Sequence, residues 1–289
     1  MSILGTARFI LRHPLAGRHP VLSLRDWVQW QLASRLAPGP LVVPFVGRAR
    51  LLVRPGMQGA TGNIYCGLHE LEDMAFALHF LRPADVFADM GANVGSYTVL
   101  AGAAVGARVH AFEPVPGTFA ALRDNVDVNG MAAKTTLHPY GLGDSARTQA
   151  MTGDKDCENR LLEPDENAAN ALSIEVRRVD DVLAADIPTL AKIDVEGFEL
   201  GVLAGGATVF ASPACRALIV EVSRHHEAVL ARIRSFGFTP VDYAPFARTL
   251  TPLPGLNPHR GNTIFVRDLA EAAERVRSAP RYAVKRTEL

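Results

Sequence analysis

The residues best suited to chemistry lie at the ends of short apolar runs that are typical of parallel strands. Asp89 opens the string Asp89-Met-Gly-Ala-Asn-Val-Gly95, in which Gly91 permits a tight turn and Gly95 lets a ligand approach the backbone closely. Glu113 ends the next apolar run, where a carboxylate can accept hydrogen bonds from both hydroxyls of a ribose. A glycine loop followed by such an acid predicts a ligand that contains a nucleoside.

The spacing of the loop separates two classes of nucleoside cofactor. A loop that holds the diphosphate of a nicotinamide or flavin dinucleotide has glycines in the pattern G-x-G-x-x-G. Here Asn93 and Ser96 stand at the second and third glycine positions, where their side chains would crowd a diphosphate. A carboxylate before the loop suits the ammonium group of S-adenosylmethionine better than a diphosphate. We therefore predict S-adenosylmethionine as the cofactor and name as its binding residues Asp89, Gly91, Asn93, Gly95 and Glu113.

A second set of polar residues follows two later apolar runs. Asp194 ends the fourth strand of the predicted sheet and precedes Glu196, while Glu221 ends the next strand and precedes His225 and His226. A hydroxyl that accepts a methyl group must lose its proton, which requires a base or a metal ion nearby. We predict Asp194, Glu196 and His225 as catalytic residues. These residues could instead hold a divalent metal ion, although their spacing matches no known metal-binding pattern. The protein could also act without a strong base, only by positioning the acceptor.

The elements that must position these residues alternate between strand and helix from residue 84 onward. Apolar runs predict strands near 85–88, 107–112, 135–141, 172–178, 189–194, 216–222, 238–243 and 262–267. Helical spacing predicts helices near 96–105, 116–129 and 225–236. This alternation indicates an α/β fold with a doubly wound, mainly parallel, Rossmann-like sheet and an antiparallel edge strand. The polar stretch 151–171 reads as an inserted loop.

The N-terminal part precedes that alternation and predicts a helical and β-hairpin extension. A capping-box-like start at Ser23 leads into a helix with an apolar stripe that ends before Pro38-Gly39-Pro40; the stripe consists of Leu24, Val28, Leu32 and Leu36. A hairpin over 41–54 turns near Gly47, and a second helix spans about 69–81. We accordingly divide the chain into an extension (1–59), the main domain (60–267) and a charged helix or tail (268–289).

Charge is balanced overall but unevenly placed. The 289 residues hold 30 basic and 30 acidic side chains, so the net charge does not favour a nucleic-acid partner. Residues 1–69, however, carry eight arginines and a single acid, Asp26. This asymmetry fits an anionic partner, a peripheral contact with a membrane surface, or self-association into a homo-oligomer. Packing of the basic extension against the acidic body is the interpretation we favour.

Cysteine usage and hydropathy bear on the compartment. Cys66, Cys157 and Cys215 are widely separated and match no zinc spacing, so we predict no metal site built on them. The chain has no apolar run of membrane-spanning length and no signal-peptide pattern at its start. A cytoplasmic location is the resulting expectation.

Three strings together resemble the FkbM family of methyltransferases. They are Asp89-Met-Gly-Ala-Asn-Val-Gly-Ser-Tyr-Thr98, Ala111-Phe-Glu-Pro114 and Lys192-Ile-Asp-Val-Glu-Gly197, and the resemblance extends over about 60–267. It implies a class I methyltransferase fold, S-adenosylmethionine as cofactor, and O-methylation of a hydroxyl on a sugar, a glycan or a secondary metabolite. The small-molecule or glycan acceptor itself is not specified by the resemblance.

The resemblance also implies individual roles. Asp89, Gly91 and Gly95 would shape the methionine pocket and Glu113 would hold the ribose. Asp144 is a candidate for the adenine amino group, with a turn residue as the equal alternative. Glu70 and Asn63 would line the entrance of the site.

Other functions stay open at this point. A nicotinamide-dependent oxidoreductase shares the fold and the ribose-binding acid, and a non-catalytic scaffold could retain the same fold. Methylation of nucleic acid is a weaker alternative, because the chain has no dense stretch of basic and aromatic residues to bind a strand.

Overall fold

A computed structural model describes residues 3–37, 39–152 and 171–289 of the chain. Its strands are β1 (Leu41–Pro44), β2 (Arg50–Val53), β3 (Val86–Met90), β4 (Arg108–Phe112), β5 (Thr135–His138), β6 (Gly141–Gly143), β7 (Arg147–Thr152), β8 (Ala171–Arg178), β9 (Leu190–Ile193), β10 (Ala217–Glu221), β11 (Thr239–Ala244), β12 (Thr249–Pro252), β13 (Asn262–Val266), β14 (Ala283–Val284) and β15 (Thr287–Glu288). Most of the predicted inserted loop, 153–170, lies outside the described residues.

The helices are α1 (Ile3–Arg12), α2 (Pro20–Leu36), α3 (Gln58–Cys66), α4 (Leu71–Phe80), α5 (Ser96–Val99), α6 (Pro116–Val128), α7 (Val179–Leu183), α8 (Glu199–Gly205), α9 (Ala207–Ala211), α10 (His226–Ser235) and α11 (Leu269–Arg277). Helix α5 continues without a break into a π-helix over Leu100–Val105.

An eight-stranded sheet forms the centre of the molecule, in the order β12-β11-β13-β10-β9-β3-β4-β5. Neighbouring strands from β10 to β5 run parallel, whereas β13 lies antiparallel to both β10 and β11. The chain first winds outward from β3 to β5 and then in the opposite direction from β9, so the strand order reverses between β3 and β9. Ligands of open α/β sheets bind at such a switch point, at the carboxyl ends of the strands. The predicted doubly wound, mainly parallel sheet is confirmed.

Both faces of the sheet are covered, which explains why its central strands read as continuous apolar runs. Successive residues of β10 point to opposite faces, so that Ile219 packs into one core and Leu218 and Val220 into the other. The first core also takes in apolar side chains from α4, α6 and α11, and the second takes in those of α7, α8, α9 and α10.

The strand predicted over 135–141 is split by Pro139. β5 ends at His138 in the central sheet, and β6 leaves that sheet to join β7 and β8 in a separate three-stranded sheet. The predicted strand at 172–178 is β8, so it also lies outside the central sheet. This rearrangement takes the segment after β5 out of the central sheet.

The N-terminal segment differs from its prediction in three ways. Helix α2 begins at Pro20, not at Ser23, because Ser23 is buried and its hydroxyl donates a hydrogen bond to the carbonyl of Ala16 (3.1 Å). Helices α1 and α3 were not predicted. The apolar stripe of α2 faces outward over much of its length, since Val28, Leu32 and Leu36 are exposed. The hairpin β1–β2 turns at Gly47, as predicted, and helix α4 matches the helix predicted over 69–81.

The C-terminal residues form a helix and a short hairpin. Helix α11 packs on α4, and the hairpin β14–β15 follows it. Val284 of this hairpin forms a β-bridge with Val46, next to the turn of the N-terminal hairpin. The two ends of the described chain therefore support each other.

Candidate active site

A cavity of about 520 Å³ opens at the carboxyl ends of β3, β4, β9 and β10. Its walls include the loop after β3, Glu113 after β4, Asp194 and Glu196 after β9, and Glu221 at the end of β10. Helices α1 and α3 complete the opposite side through Thr6, Gly59 and Tyr65 among other residues. A volume of this size falls in the range of ordinary small-molecule and cofactor sites.

The glycine loop after β3 adopts a backbone that few residues tolerate. Gly91, Asn93 and Gly95 all have positive φ angles, of 83°, 50° and 93°. A Cβ at Gly91 would lie 1.8 Å from the carbonyl oxygen of Asp194, so this position requires glycine for space as well as for conformation. Asparagine is one of the few side chains that accept the left-handed region, which fits Asn93. Gly91 and Asn93 line the cavity, whereas Gly95 shapes the turn behind it.

Glu113 is held in place by the same loop. Its Oε2 accepts a hydrogen bond from the backbone N–H of Asn93 (3.0 Å), and its Oε1 accepts one from the N–H of Val115 (2.9 Å). Burial raises the pKa of Glu113 to about 7, although the two N–H donors act in the opposite direction. Each carboxylate oxygen keeps a further lone pair for a ligand hydroxyl. The arrangement suits a ribose in the cavity.

Asp89 lies behind the loop and does not line the cavity. Its Oδ2 accepts a hydrogen bond from the hydroxyl of Thr98 (2.6 Å), and its buried Oδ1 has no hydrogen-bond partner among the described residues. Burial raises the pKa of Asp89, while the nearby ammonium group of Lys192 lowers it. The Asp89 side chain thus connects β3 to α5 and places a carboxylate behind the glycine loop.

Lys192 and Asp194 form a buried ion pair beside the loop. Nζ of Lys192 lies 2.6 Å from Oδ2 of Asp194 and 4.9 Å from the centre of the Tyr97 ring. Burial alone would lower the pKa of Lys192, but the carboxylates of Asp194, Asp89 and Glu70 outweigh it and raise the pKa. Lys192 therefore remains charged in the interior and fixes the orientation of Asp194.

Glu221 meets Asp194 from the neighbouring strand. Burial, followed by the negative charge of Asp194, raises the pKa of Glu221 to about 8, and the two carboxyl groups share a hydrogen bond. Glu221 therefore keeps its proton to a higher pH than a solvated carboxyl group does. The pair lies at the cavity wall, next to the glycine loop, and can exchange a proton with a bound hydroxyl.

A third group of polar side chains extends the site toward the first core. The hydroxyl of Tyr97 donates to Oε2 of Glu70 (2.7 Å), and Nδ2 of Asn262 donates to Oε1 of Glu70 (3.2 Å) and to Oδ2 of Asp73 (3.3 Å). Burial and the charge of Glu70 raise the pKa of Asp73 to about 7. Glu70 lines the cavity, as expected from the resemblance. Tyr97 and Asn262 were not among the predicted site residues.

Asn63 has a structural position instead. It is buried, donates to the hydroxyl of Ser96 (3.2 Å) and accepts a hydrogen bond from the N–H of His69 (2.8 Å). By these contacts it joins α3 to the helix after the glycine loop and to the segment that carries Glu70. It does not line the cavity, so its effect on the site is indirect.

Two predicted site residues lie away from the cavity. Asp144 follows β6 in the separate small sheet, is 56% exposed and forms an ion pair with Arg147. His225 is exposed, with a φ of 54°, and precedes α10. The structure does not bring either residue together with Asp194 or Glu113. The cavity also has apolar lining residues, which would suit a nucleobase: Phe112, Leu142 and Ile174.

Two further observations concern ligands and membranes. Among the described residues, no group of three or more histidine, cysteine, aspartate or glutamate side chains is arranged to hold a metal ion. In the same part of the chain, no helix combines the length and the apolar character needed to cross a bilayer.

Comparison with known proteins identifies relatives. The family model described as the methyltransferase FkbM domain matches residues 89–240. The chain is 32% identical to 31-O-demethyl-FK506 methyltransferase FkbM of Streptomyces tacrolimicus, over 56% of this chain and 75% of that protein. It is 32% identical to hexuronic acid methyltransferase AglP of Haloferax volcanii, over 64% of this chain and 75% of that protein.

Among solved structures, the methyltransferase FkbM of Methylobacillus flagellatus KT superimposes with a TM-score of 0.46 at 20% identity, over 71% of this chain and 52% of that chain. The matched segment of the family model begins at Asp89 and includes Glu113, Asp194 and Glu221, the residues that the fold gathers around the cavity. The chain belongs to the FkbM family of S-adenosylmethionine-dependent methyltransferases.

Proposed function

We propose that this methyltransferase methylates a hydroxyl group of an uncharged, polyhydroxylated acceptor, such as a sugar, a glycan or a secondary metabolite. The observation that carries the proposal is the ion pair of Lys192 and Asp194, which meets Glu221 at the wall of the cavity. S-adenosylmethionine, when bound, supplies an electrophilic methyl group, so the protein must mainly orient the acceptor oxygen and receive its proton.

The residues around the glycine loop fit this cofactor. Glu113 offers free lone pairs for the ribose hydroxyls, and the absence of a side chain at Gly91 leaves the backbone accessible. Asp89 and Asp194 supply negative charge near the loop, which suits a cofactor that carries two positive charges. The same carboxylates would repel a diphosphate, and the loop lacks the G-x-G-x-x-G pattern of dinucleotide-binding sites. We therefore do not propose a nicotinamide-dependent activity.

Asp194 and Glu221 are the groups we assign to proton transfer. Lys192 holds Asp194 in one orientation through a 2.6 Å contact, so that the free carboxylate oxygen can accept a hydrogen bond from the acceptor hydroxyl. Glu221 contacts Asp194 and has a pKa of about 8, so it becomes able to accept a proton as the pH approaches 8. Glu196 lines the same cavity and is a candidate for contacts with the acceptor. We do not extend this role to His225.

The acidic side chains that line the cavity favour an uncharged acceptor. The acidic residues that line the cavity include Glu70, Asp194, Glu196 and Glu221. Among the described residues that line it, Lys192 is the one lysine or arginine, and it is paired with Asp194. A carboxylate or phosphate close to the reacting hydroxyl would meet like charges in a poorly solvated site. One relative is named for a hexuronic acid and the other for 31-O-demethyl-FK506. The charge pattern favours an acceptor without a carboxylate near the methylated position.

Transfer of a radiolabelled methyl group tests the proposal. The purified chain would be incubated with labelled S-adenosylmethionine and matched pairs of acceptors, neutral hexosides against the corresponding hexuronosides. We expect label in neutral acceptors as methyl ethers, which resist mild base, and loss of transfer in Asp194→Asn with retained binding of S-adenosylhomocysteine. Label confined to base-labile methyl esters or to hexuronosides would contradict the proposed acceptor class. A protein that binds the cofactor but labels none of them would favour the scaffold interpretation.

A further inference from the structure

The two N-terminal helices turn aliphatic side chains toward solvent. Leu4 and Leu36 are each 83% exposed, and the other exposed aliphatic residues of these helices are Leu11, Val21, Val28 and Leu32. Exposed aliphatic side chains gathered on one part of a surface mark a site of interaction.

Exposed arginines are interleaved with these residues at helical spacing. On α1, Arg8 and Arg12 follow Leu4 and Leu11; on α2, Arg25 and Arg35 stand between the exposed residues of the stripe. Residues three or four positions apart share one face of a helix, so each helix has one outward stripe of alternating aliphatic and guanidinium groups. We call these two stripes the N-terminal basic-apolar face, defined by Leu4, Arg8, Leu11 and Arg12 of α1 and Val21, Arg25, Val28, Leu32, Arg35 and Leu36 of α2.

The opposite sides of both helices are fixed to the protein. Ile10 of α1 and Trp30 of α2 are buried in the first core, and Ser23 of α2 bonds to the carbonyl of Ala16. Each helix therefore already packs against the protein through its other side, and the basic-apolar face is its solvent-facing side. Thr6, on the inner side of α1, lines the cavity, so the same helix separates the face from the acceptor end of the site.

One of these arginines, Arg25, contacts a carboxylate, that of Asp26 (3.3 Å), and remains exposed. Asp26 is the single acid among residues 1–69, and it is held by Lys285 (2.7 Å) and Arg286 (3.0 Å) from the C-terminal hairpin. These contacts lower the pKa of Asp26 to about 2, although its partial burial acts in the opposite direction. Asp26 thus joins the extension to basic residues of the C-terminal hairpin, and the arginines of the face remain exposed to solvent.

We propose that the N-terminal basic-apolar face binds the surface of an anionic lipid bilayer. Arginines reach the phosphate groups while leucine and valine side chains enter the boundary of the acyl chains, which is the pattern of helices that lie in the membrane interface. A second copy of the same face would bring like charges together. Nucleic acid would use the arginines but would leave the aliphatic residues without a partner.

Sedimentation with vesicles tests the proposal on the full chain. The wild type should bind vesicles that contain phosphatidylglycerol and phosphatidylcholine, should not bind vesicles of phosphatidylcholine alone, and should be released as salt rises. Arg25→Glu/Arg35→Glu should reduce binding about tenfold or more, because each basic residue near such a surface contributes to the attraction. Leu32→Ser/Leu36→Ser should reduce it as well, because the apolar contribution is lost.

Matched controls keep the result interpretable. Arg123→Glu changes an exposed arginine on α6, and Leu269→Ser changes an exposed leucine at the start of α11; both should bind like the wild type. The changed residues of the face are exposed, so all variants should keep the thermal stability of the wild type. The proposal would be overturned if the wild type did not bind anionic vesicles. It would also be overturned if both double variants bound them as strongly as the wild type does. A wild-type dimer that Leu32→Ser/Leu36→Ser converts to a monomer would also overturn it.

Discussion

Gly91 touches Asp194: a Cβ atom placed on Gly91 would lie 1.8 Å from the carbonyl oxygen of Asp194. The loop that shapes the cofactor site and the residue assigned to proton transfer thus meet backbone to backbone at the switch point of the sheet. A side chain at position 91 would therefore displace the backbone of Asp194.

Replacement of Gly91 by alanine tests this contact. We expect Gly91→Ala to destabilise the protein by about 2 kcal/mol or more, since overpacking and a positive φ act together, and to weaken binding of S-adenosylhomocysteine. Gly117→Ala is the matched control, because its Cβ would meet no atom within 4 Å and its φ is not positive. Thermal unfolding and calorimetric titration would measure both effects. Wild-type stability in Gly91→Ala would show that the two strand ends are not in contact.

The ion pair of Lys192 and Asp194 should be essential for stability as well as for activity. Lys192→Met leaves the carboxylate of Asp194, which is 24% exposed, beside Glu221 without its cation. Breaking a fully buried pair in this way costs about 3 kcal/mol or more, and the partial exposure of Asp194 lowers the expected cost to about 2 kcal/mol. Lys134→Met removes an exposed lysine and should change stability by about 0.5 kcal/mol or less. Urea unfolding compares the two. Equal stability of both variants would mean that Asp194 is solvated rather than held by Lys192.

Glu221 should make stability and activity depend on pH in opposite directions. Its folded pKa of about 8 lies above the ordinary value of 4.5, so the folded state binds the proton more tightly and its contribution to stability is lost as pH rises toward and through 8. Methyl transfer should rise over the same window, because the Asp194–Glu221 pair then accepts a proton more readily. Glu221→Gln removes this titration and should make both profiles less steep near pH 8, while the contributions of Glu113 and Asp73, with pKa values of about 7, remain. The exposed Glu274→Gln should leave both profiles unchanged. A wild-type rate that does not respond to pH between 6 and 9 would count against this assignment.

Asp144 and His225 should be dispensable for cofactor binding. Both lie outside the cavity, and Asp144 is engaged by Arg147. We expect Asp144→Asn and His225→Asn to bind S-adenosylhomocysteine within about a factor of two of the wild type, in line with ordinary surface substitutions. A strong loss of affinity in Asp144→Asn would restore its predicted contact with the adenine amino group.

The sequence predicts which residues meet at the edge of the sheet when each of them directly follows an apolar strand. Gly91, Glu113 and Asp194 each follow a recognisable apolar run, and parallel strands bring such residues to one edge of a sheet. The position of Asp144 in a separate small sheet could not be predicted, because the sequence does not show that the chain leaves the central sheet at Pro139. The contact between Tyr97 on α5 and Glu70, just before α4, joins residues 27 positions apart, which no local pattern indicates.

Helix α2 shows a second limit of sequence patterns. Its spacing of Val28, Leu32 and Leu36 correctly indicated a helix with an apolar stripe, but periodicity does not state which side of the helix faces the protein. Trp30 and the bond from Ser23 to Ala16 fix the other side to the body. The stripe is left at the surface, where it forms part of the N-terminal basic-apolar face.

Calorimetric titration of the full chain with S-adenosylhomocysteine tests whether this cavity is the cofactor site. We expect the wild type to bind S-adenosylhomocysteine and S-adenosylmethionine but not NAD(H). Glu113→Gln should weaken this binding about tenfold or more, because hydrogen bonds to a charged acceptor are lost. Glu274→Gln should bind like the wild type. Binding of NAD(H) alone, or equal affinity in Glu113→Gln and the wild type, would contradict the assignment of this cavity as the S-adenosylmethionine site.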